Sequence, residues 1–193
     1  MARTKDFDED EVLEKAMNLF WLKGYNGTSM QDLVDGLGIS RSSLYDTYVD
    51  KHTLFLRSLD HYKMGTAEKM GKMIQGIPSA KEKIRRMLEY IISELVSDKE
   101  HKGCFLVNAG VEMASQDKEV NTMLCENDRQ VEGYFFDIIK QGQESGEIIN
   151  KQDAKVLAQF ILNNVKGVRV TARSTADRRV FNDIINLTLS VLG

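Results

Sequence analysis

The sequence has a single proline and only two cysteines among its 193 residues, and each scarcity narrows the possible folds. Because proline interrupts helices, a chain whose only proline is Pro78 permits long helices on both sides of it. Cys104 and Cys125 do not form a disulfide-rich pattern, which indicates a reduced compartment. No apolar run approaches the roughly 20 residues of a membrane-spanning helix, and the polar first residues lack a secretory signal. We therefore expect a cytoplasmic protein without a membrane partner.

Motifs of common enzyme classes are also missing. The chain contains no HExxH sequence, P-loop, Rossmann glycine pattern or nucleophile elbow. His101 and Cys104 are spaced like half of a metal site, and only the distant Cys125 or Glu112 are available to complete a weak one. The sequence therefore predicts no catalytic residues, no cofactor and no bound metal.

Helical periodicity is abundant in this sequence. Apolar residues recur with helical spacing over long stretches, as from Ile84 to Leu95, whereas strand-like alternation and repeats are lacking. The pattern predicts an all-α protein of about nine helices, the sixth of them apolar nearly all round and buried on most sides. Outside the motif described next, the predicted helices cover 8–23, start near 51 and near 79, and cover 103–114, 117–145, 152–173 and 177–192.

Residues 28–51 have the pattern of two short helices joined by a tight turn. Thr28-x-x-Gln31 has the form of a capping box, and apolar residues follow at helical spacing. Gly38 ends this helix, because glycine adopts the left-handed conformation that a tight turn needs, and Ser40 caps the second helix. The second helix presents on its first turn Arg41, Ser42 and Ser43. A helix–turn–helix that reads DNA in the major groove has this layout.

The same segment resembles the DNA-binding part of the TetR-like transcriptional regulators. The residues that carry the resemblance are Thr28, Gly38-Ile39-Ser40, Leu44-Tyr45, Tyr48 and Lys51 with Leu54. The positions that depart from the residues common in that family are Gly36, Ser42, Tyr48 and His52. None of these changes removes a capping or core residue. The resemblance covers the first four helices, and the remaining two thirds of the chain agree in length and helical layout.

The resemblance implies an N-terminal three-helix helix–turn–helix DNA-binding domain at 1–50 and a C-terminal helical domain for effector binding and dimerisation at 51–193. It also implies a homodimer formed through predicted helices 8 and 9 of each subunit. The many apolar residues on more than one side of helix 9 agree with that expectation. Two recognition helices about 34–36 Å apart would read both halves of a palindromic operator in double-stranded DNA. The implied function is that of a repressor released by a small, mostly apolar effector.

The resemblance also assigns roles to single residues along the helix–turn–helix and at the start of the helix that follows it. The residues on positions that usually bind phosphates are Thr28, Tyr45, Tyr48 and Lys51. Tyr48 is also expected to pack between the third and fourth helices. The candidates for reading bases are Arg41, Ser42 and Ser43. An arginine can bind guanine through two hydrogen bonds, which makes Arg41 the strongest of these candidates.

Positive charge is scarce where DNA binding needs it. Residues 1–60 carry seven basic and eleven acidic residues, although phosphate contacts supply much of the affinity of a DNA-binding domain. DNA binding therefore requires the basic residues to gather on one face, and the N-terminal arm offers Arg3 and Lys5 for it. The early acids favour the dipole of the first helix and form an ordinary solvated face: Asp8, Glu9, Asp10, Glu11 and Glu14.

Helices 5 to 8 are expected to enclose an apolar interior with a few converging polar groups, which suits a small effector. The candidate contacts are Tyr90, Asn108, Glu112, Tyr134, Asn163 and Asn164. Each is also of a residue type that is commonly satisfied within a protein core.

Two other interpretations are open. Segment 102–114 resembles a TetR-like subgroup in which some regulators sense oxidants or electrophiles through cysteine, and Cys104 is the corresponding redox candidate, beside Lys102 and a helix N-terminus. A buried, unreactive cysteine is the simpler interpretation. The more remote alternative is a helical protein-interaction adaptor that does not bind DNA.

Overall fold

The computed structural model describes residues 7–193, which form nine α-helices and no strand. In chain order the helices are α1 Glu9–Lys23, α2 Met30–Leu37, α3 Arg41–Tyr48, α4 Lys51–Ile74, α5 Ala80–Ser97, α6 Phe105–Met113, α7 Lys118–Glu144, α8 Ala154–Thr171 and α9 Arg178–Ser190. The all-α prediction is confirmed, and α1 and α6 to α9 begin and end within two residues of their predicted bounds. Within the described range, none of the helices is long and apolar enough to cross a bilayer.

The buried apolar side chains form two clusters. The first combines α1, α2, α3 and the start of α4 with α6, and its large residues include Phe20, Phe55 and Phe105. The second joins α5, α7, α8 and α9 around Phe135 and Phe181. Phe105 of α6 packs edge-on against Phe55 of α4 with a centroid distance of 5.7 Å. The N-terminal core therefore extends well beyond residue 50, because α6 contributes to it.

The cap of α2 lies one residue later than predicted. Ser29 Oγ accepts a hydrogen bond from Asp32 N at 3.0 Å, and the Asp32 carboxylate accepts one from Ser29 N at 2.8 Å. Thr28 is buried, and its hydroxyl donates to the Gly24 carbonyl oxygen at 2.6 Å instead. Gln31 donates to the side chain of Asp35. The predicted Thr28–Gln31 capping box was therefore wrong, because the α1–α2 loop binds the threonine hydroxyl.

The N-terminus of α5 is capped by residues from two separate parts of the chain. Ser79 Oγ accepts from Glu82 N at 3.1 Å, close to the predicted start of this helix near 79. The carboxylate that covers the remaining N–H groups belongs to Glu147, in the loop after α7. It accepts from Ala80 N at 2.8 Å and from Lys81 N at 3.0 Å, and Ser79 Oγ donates to it. Glu147 thereby joins the α7–α8 loop to α5.

Helix α6 is less enclosed than its apolar sequence predicted. Leu106, Ala109 and Met113 are buried, but the side chain of Val111 is 81% exposed. The prediction of burial on most sides was wrong for this residue, because one side of α6 borders a cavity rather than packed helices.

Candidate nucleic-acid interface and effector cavity

The turn between α2 and α3 forms as its sequence requires. Gly38 has φ 69° and ψ 23°, the left-handed conformation, and its N–H donates to the Val34 carbonyl oxygen at 3.1 Å. Ser40 then caps α3, because its Oγ accepts from Ser43 N at 3.1 Å. These two local devices fix where α3 begins, and therefore which side chains occupy its first turn.

The first turn of α3 presents the predicted base-reading residues together. Arg41 and Ser42 are exposed and Ser43 is half-buried. Both serine hydroxyls lie within 2.9 Å of Ser40 Oγ. The Arg41 guanidinium lies 5.9 Å from the ring centroid of Tyr45, which is itself 40% exposed. Arginine, two hydroxyls and a tyrosine thus share one open face of a short helix.

The predicted phosphate-binding residues are divided between surface and core. Tyr45 is exposed, but the side chains of Thr28 and Tyr48 are buried. The Tyr48 hydroxyl donates to the Glu9 carbonyl oxygen at 3.4 Å, and its ring packs in the N-terminal cluster, as expected of a mainly structural residue. The hydroxyl of Thr28 is bonded within its own loop and is not available to a phosphate. What remains for an anion there is the N-terminus of α2 itself.

Lys51 begins α4 and packs against an aromatic ring. Its Nζ lies 4.2 Å from the ring centroid of Tyr25. Burial lowers the pKa of Lys51, while the nearby carboxylates of Glu112 and Asp32 act in the opposite direction. The cation is therefore held in one place at the base of the helix–turn–helix. The predicted arm residues Arg3 and Lys5 lie outside the described residues.

Three acidic residues of the N-terminal region cap helices. Asp8 caps α1, and Asp50 caps α4 by accepting from Thr53 N at 2.7 Å. Asp32 caps α2 and also accepts from Lys23 Nζ at 2.5 Å, and this bond, with those from Ser29, holds the pKa of the Asp32 carboxyl far below its usual range. Much of the unfavourable negative charge thus serves helix ends, where a carboxylate is stabilised.

A strained turn after α3 was not predicted. Val49 has φ 66° and ψ −55°, and the N–H of Asp50 donates to the Tyr48 carbonyl oxygen at 2.6 Å. This is a three-residue γ-turn of the strained hand, and a β-branched residue is poorly suited to it. The Val49 side chain is 69% exposed, so packing does not explain its position. Because valine rarely has a positive φ, its presence at this position did not predict the turn.

Glu112 of α6 reaches the loop between α1 and α2. Its carboxylate accepts hydrogen bonds from Tyr25 N at 3.0 Å and from Asn26 N at 2.7 Å. A second link of this kind joins His52 Nε2 of α4 to an Asp117 oxygen, just before α7, at 2.6 Å. Glu112 was predicted as an effector contact, but it faces the N-terminal helices.

A cavity of about 480 Å³ lies between α4, α5, α6, α7 and α8, and its lining is mostly apolar. Tyr134 lines this cavity, as predicted. Sequence analysis missed the other polar residues that line this cavity. Which residues line it depends on how helices that are distant in the sequence pack together. The missed residues include Tyr62, Lys63, Asn121, Asn127, Asp128, Lys166 and Arg169.

The other predicted effector residues are dispersed. Tyr90 lines a second cavity of about 350 Å³, and Asn164 lines a very small one against α5 and α9. Asn108 Nδ2 donates to the Lys102 carbonyl oxygen at 2.7 Å, and Asn163 is exposed. The structure therefore does not bring the six candidates together.

Cys104 is buried at the N-cap of α6. The Tyr62 hydroxyl donates to its Sγ at 3.7 Å. The Lys102 ammonium lies 4.6 Å from the ring centroid of Trp21 and 3.2 Å from the Glu100 carboxylate. Across residues 7–193, no group of three histidine, cysteine or acidic side chains is arranged to hold a metal ion. His101 and Cys104 thus gain no further ligand there.

Helices α8 and α9 each carry an exposed apolar stripe. On α8 it consists of Val156, Phe160, Asn163, Gly167 and Val170, which recur at spacings of four and three residues. On α9, Val180 and Leu187 are exposed two turns apart, and Leu187 is 71% exposed. A Cβ added to Gly167 would meet nothing within 4 Å. Two adjacent helices thus leave apolar surface uncovered in the single chain.

Comparison with known proteins gives matches over nearly the whole chain. The family described as "Tetracyclin repressor-like, C-terminal domain" matches residues 80–187, and "Bacterial regulatory proteins, tetR family" matches residues 12–57. The HTH-type transcriptional regulator YezE of Bacillus subtilis (strain 168) is 32% identical over 193 residues, 100% of both chains. The HTH-type transcriptional repressor ComR of Escherichia coli (strain K12) is 29% identical, covering 97% of this chain and 90% of ComR.

A solved structure also matches. It is a cysteine mutant of the TetR family transcriptional regulator CifR complexed with a 26-base-pair operator DNA. Its TM-score is 0.87 at 26% identity, and the match covers 98% of each chain.

Proposed function

The chain belongs to the TetR family of DNA-binding transcriptional regulators, and from that premise we propose that it is a repressor released from a palindromic operator by a small effector. The observation that carries this proposal is the open first turn of α3, which follows a well-formed helix–turn–helix and presents Arg41 beside Ser42. Members of this family are transcriptional regulators rather than enzymes. ComR is named a repressor, and CifR was solved on operator DNA, which supports the same role for this chain.

Arg41 reads a base, and Lys51 binds the backbone of DNA. Arg41→Ala should therefore cost about 1–3 kcal/mol of discrimination at one base pair. Lys51→Ala should weaken binding to all sequences alike and reduce the salt slope by about one. Fluorescence anisotropy with DNA flanking the gene, over a salt series, measures both effects. Arg86→Ala, at an exposed arginine of α5, is the matched control. Unchanged binding by both variants would contradict this docking.

The exposed stripes of α8 and α9 pair with those of a second copy. Phe160 and Leu187 are large apolar residues on these stripes, and apolar surface of this kind is stabilised by burial. Gly167 permits close approach of two helices, and Asn163 is suited to fixing their register. A two-fold dimer also explains how one short recognition helix gains a second half-site.

Light scattering of Phe160→Asp and Leu187→Asp tests the dimer. Both variants should be monomeric and should bind operator DNA far more weakly than the wild type. Met64→Asp, at an exposed methionine of α4, is the control for adding a charge to an exposed apolar position. A Phe160→Asp protein that remains dimeric would refute this interface.

The effector occupies the 480 Å³ cavity and acts through α6. Val107, Gly110 and Val111 line the cavity, while the adjacent Glu112 binds the α1–α2 loop. A ligand that shifts α6 therefore moves an anchor of the DNA-binding helices. Release follows if the effector binds more tightly to the form whose recognition helices are wrongly spaced.

A thiol-based response through Cys104 is the second candidate. Cys104 lines the second cavity, which gives a small reagent a route to its Sγ. Its burial and its contact with the Tyr62 hydroxyl favour a structural cysteine. A thiol-reactive compound that releases DNA from the wild type but not from Cys104→Ser would favour this candidate over the first.

A further inference from the structure

The cavity wall carries more positive than negative charge. Lys63, Lys166 and Arg169 line the main cavity, and Asp128 is the only acidic residue among the described residues that line it. The whole chain has a net charge of −3, so this excess of positive charge is local. The rest of the lining is mostly apolar, and an apolar surrounding makes an uncompensated charge costly.

Two of the three cations already have partners. Lys63 Nζ lies 2.6 Å from an Asp60 oxygen, and Lys166 Nζ lies 2.5 Å from an Asp128 oxygen. Arg169 is half-buried, and among residues 7–193 no carboxylate lies within ion-pair distance of its guanidinium. A guanidinium has five N–H donors that match the geometry of a carboxylate or phosphate. Arg169 is thus the cation of this wall that is left to bind an anion.

Other donors surround the same wall. Arg169 and Tyr62 line both the main cavity and the second cavity. The Tyr62 hydroxyl already donates to Cys104 Sγ, so it is not a free donor for a ligand, and burial raises its pKa. Trp21 lines the second cavity, and its buried Nε1 has no hydrogen-bond partner in the described part of the chain. An unpaired buried N–H is rare and marks a place where an acceptor would be stabilised.

The second cavity limits how far an anion can move. Its lining includes the carboxylates of Glu14, Glu94 and Asp98. Asp98 is already bonded, since its carboxylate accepts from the N–H of Lys102 at 2.6 Å. The other two carboxylates outnumber Lys69, the one lysine in the described lining, so the second cavity away from Arg169 carries a net negative charge that repels an anion. An anionic group is therefore favoured beside Arg169 and disfavoured beyond it.

We propose that the effector is a small amphipathic anion, whose apolar part fills the main cavity and whose carboxylate or similar head group binds the Arg169 guanidinium. This inference rests on the proposed function, because it names the chemical class of the effector. The cavity volume of about 480 Å³ falls within the ~300–1,000 Å³ of typical ligand sites and suits a medium-length chain or a small ring system.

The test compares three probes with the same ten-carbon chain: decanoate, 1-decanol and decylamine. Calorimetry provides the Kd of each probe, and the fluorescence of Trp21, the only tryptophan in the sequence, provides a second signal from the adjoining second cavity. We expect the wild type to bind decanoate at least about tenfold more tightly than decanol, and decylamine most weakly.

Variants separate a binding role for Arg169 from a structural one. Arg169→Gln should remove the preference for decanoate over decanol while leaving decanol affinity unchanged, and Arg169→Lys should restore part of the preference. A merely structural role, such as balancing the C-terminus of α8, would change both affinities together. The double variant Lys166→Gln/Asp128→Asn is the matched comparison within the same wall, and it should keep most of the preference because it removes an ion pair without changing the net charge of the wall.

Several outcomes would overturn the inference. Equal binding of decanoate and decanol, failure of all three probes to bind, or loss of the preference in Lys166→Gln/Asp128→Asn rather than in Arg169→Gln would each contradict it. None of these results affects DNA binding by the free protein. If the wild type does not bind DNA flanking its gene at all, the proposed function fails instead, whatever the probes do.

Discussion

Glu112→Ala tests whether α6 holds the DNA-binding helices in place. The substitution removes the acceptor of two hydrogen bonds, from Tyr25 N at 3.0 Å and Asn26 N at 2.7 Å. A hydrogen bond to a charged group contributes roughly 1.5–3 kcal/mol, and solvent near the exposed Asn26 reduces that value. We therefore expect a loss of about 1–3 kcal/mol for the pair, which lowers Tm by roughly 2–12 °C for a chain of this size.

A substitution on the other side of the contact gives a second measure. Gly24 has φ 77°, and a Cβ there would lie 2.7 Å from the Glu112 carboxylate. Gly24→Ala should therefore push the carboxylate away and also strain the backbone, so its loss of stability should be at least as large as that of Glu112→Ala. In the double variant the two losses should fall short of additivity, because both act on one contact.

The assay combines urea unfolding with amide hydrogen exchange. The amides of Tyr25 and Asn26 should exchange faster in Glu112→Ala, whereas amides in α8 should not. Glu126→Ala removes an exposed carboxylate from α7 and is the control for a lost charge. If Glu112→Ala unfolds like the wild type and leaves the exchange of both amides unchanged, the reasoning about this anchor is wrong.

Three further predictions concern single residues at a strained turn, at a helix cap and in a contact between α4 and the start of α7. Val49→Gly should raise the free energy of unfolding by about 1 kcal/mol in urea titrations, because glycine relieves the positive φ without a loss of packing. Glu147→Ala should lower it by about 1–2 kcal/mol in the same assay, by uncapping α5. The Val120 N–H and then His52 hold the pKa of Asp117 below its ordinary 3.8. Asp117 therefore stabilises the protein above about pH 4 and loses that effect on further acidification, so Asp117→Ala should flatten the fall of Tm measured below pH 4.

The sequence predicted the features that depend on local pattern. Gly38 and Ser40 fix the turn through residue types that are suited to a left-handed conformation and to a helix cap, so the start of α3 could be predicted from the sequence. The bounds of the longer helices follow from apolar periodicity and a few glycines for the same reason. The α2 cap was misplaced by one residue, because Thr28 and Ser29 are both favoured cap residues, and the bond from Thr28 to Gly24 and the reciprocal bonds of Ser29 and Asp32 decide between them.

The cavity could not be predicted in the same way. Tyr62 and Arg169 lie more than 100 residues apart in the sequence and belong to α4 and α8, so only packing brings them to one wall. Glu112 and Asn163 were predicted to be effector contacts because their helices were expected to enclose the apolar interior. A helix has several faces, however, and these two side chains occupy faces turned to the α1–α2 loop and to solvent.

Helix α6 borders the main cavity on one face and contacts the α1–α2 loop on another. Gly110 and Val111 line the cavity, and the next residue, Glu112, accepts hydrogen bonds from the loop that leads into the helix–turn–helix. An effector can shift an equilibrium only by its difference in affinity between two states, typically about 1–3 kcal/mol. The Glu112 contacts are expected to contribute a free energy of the same size. A ligand that favours a position of α6 incompatible with these bonds can therefore change DNA affinity about 5- to 150-fold without disturbing the second core.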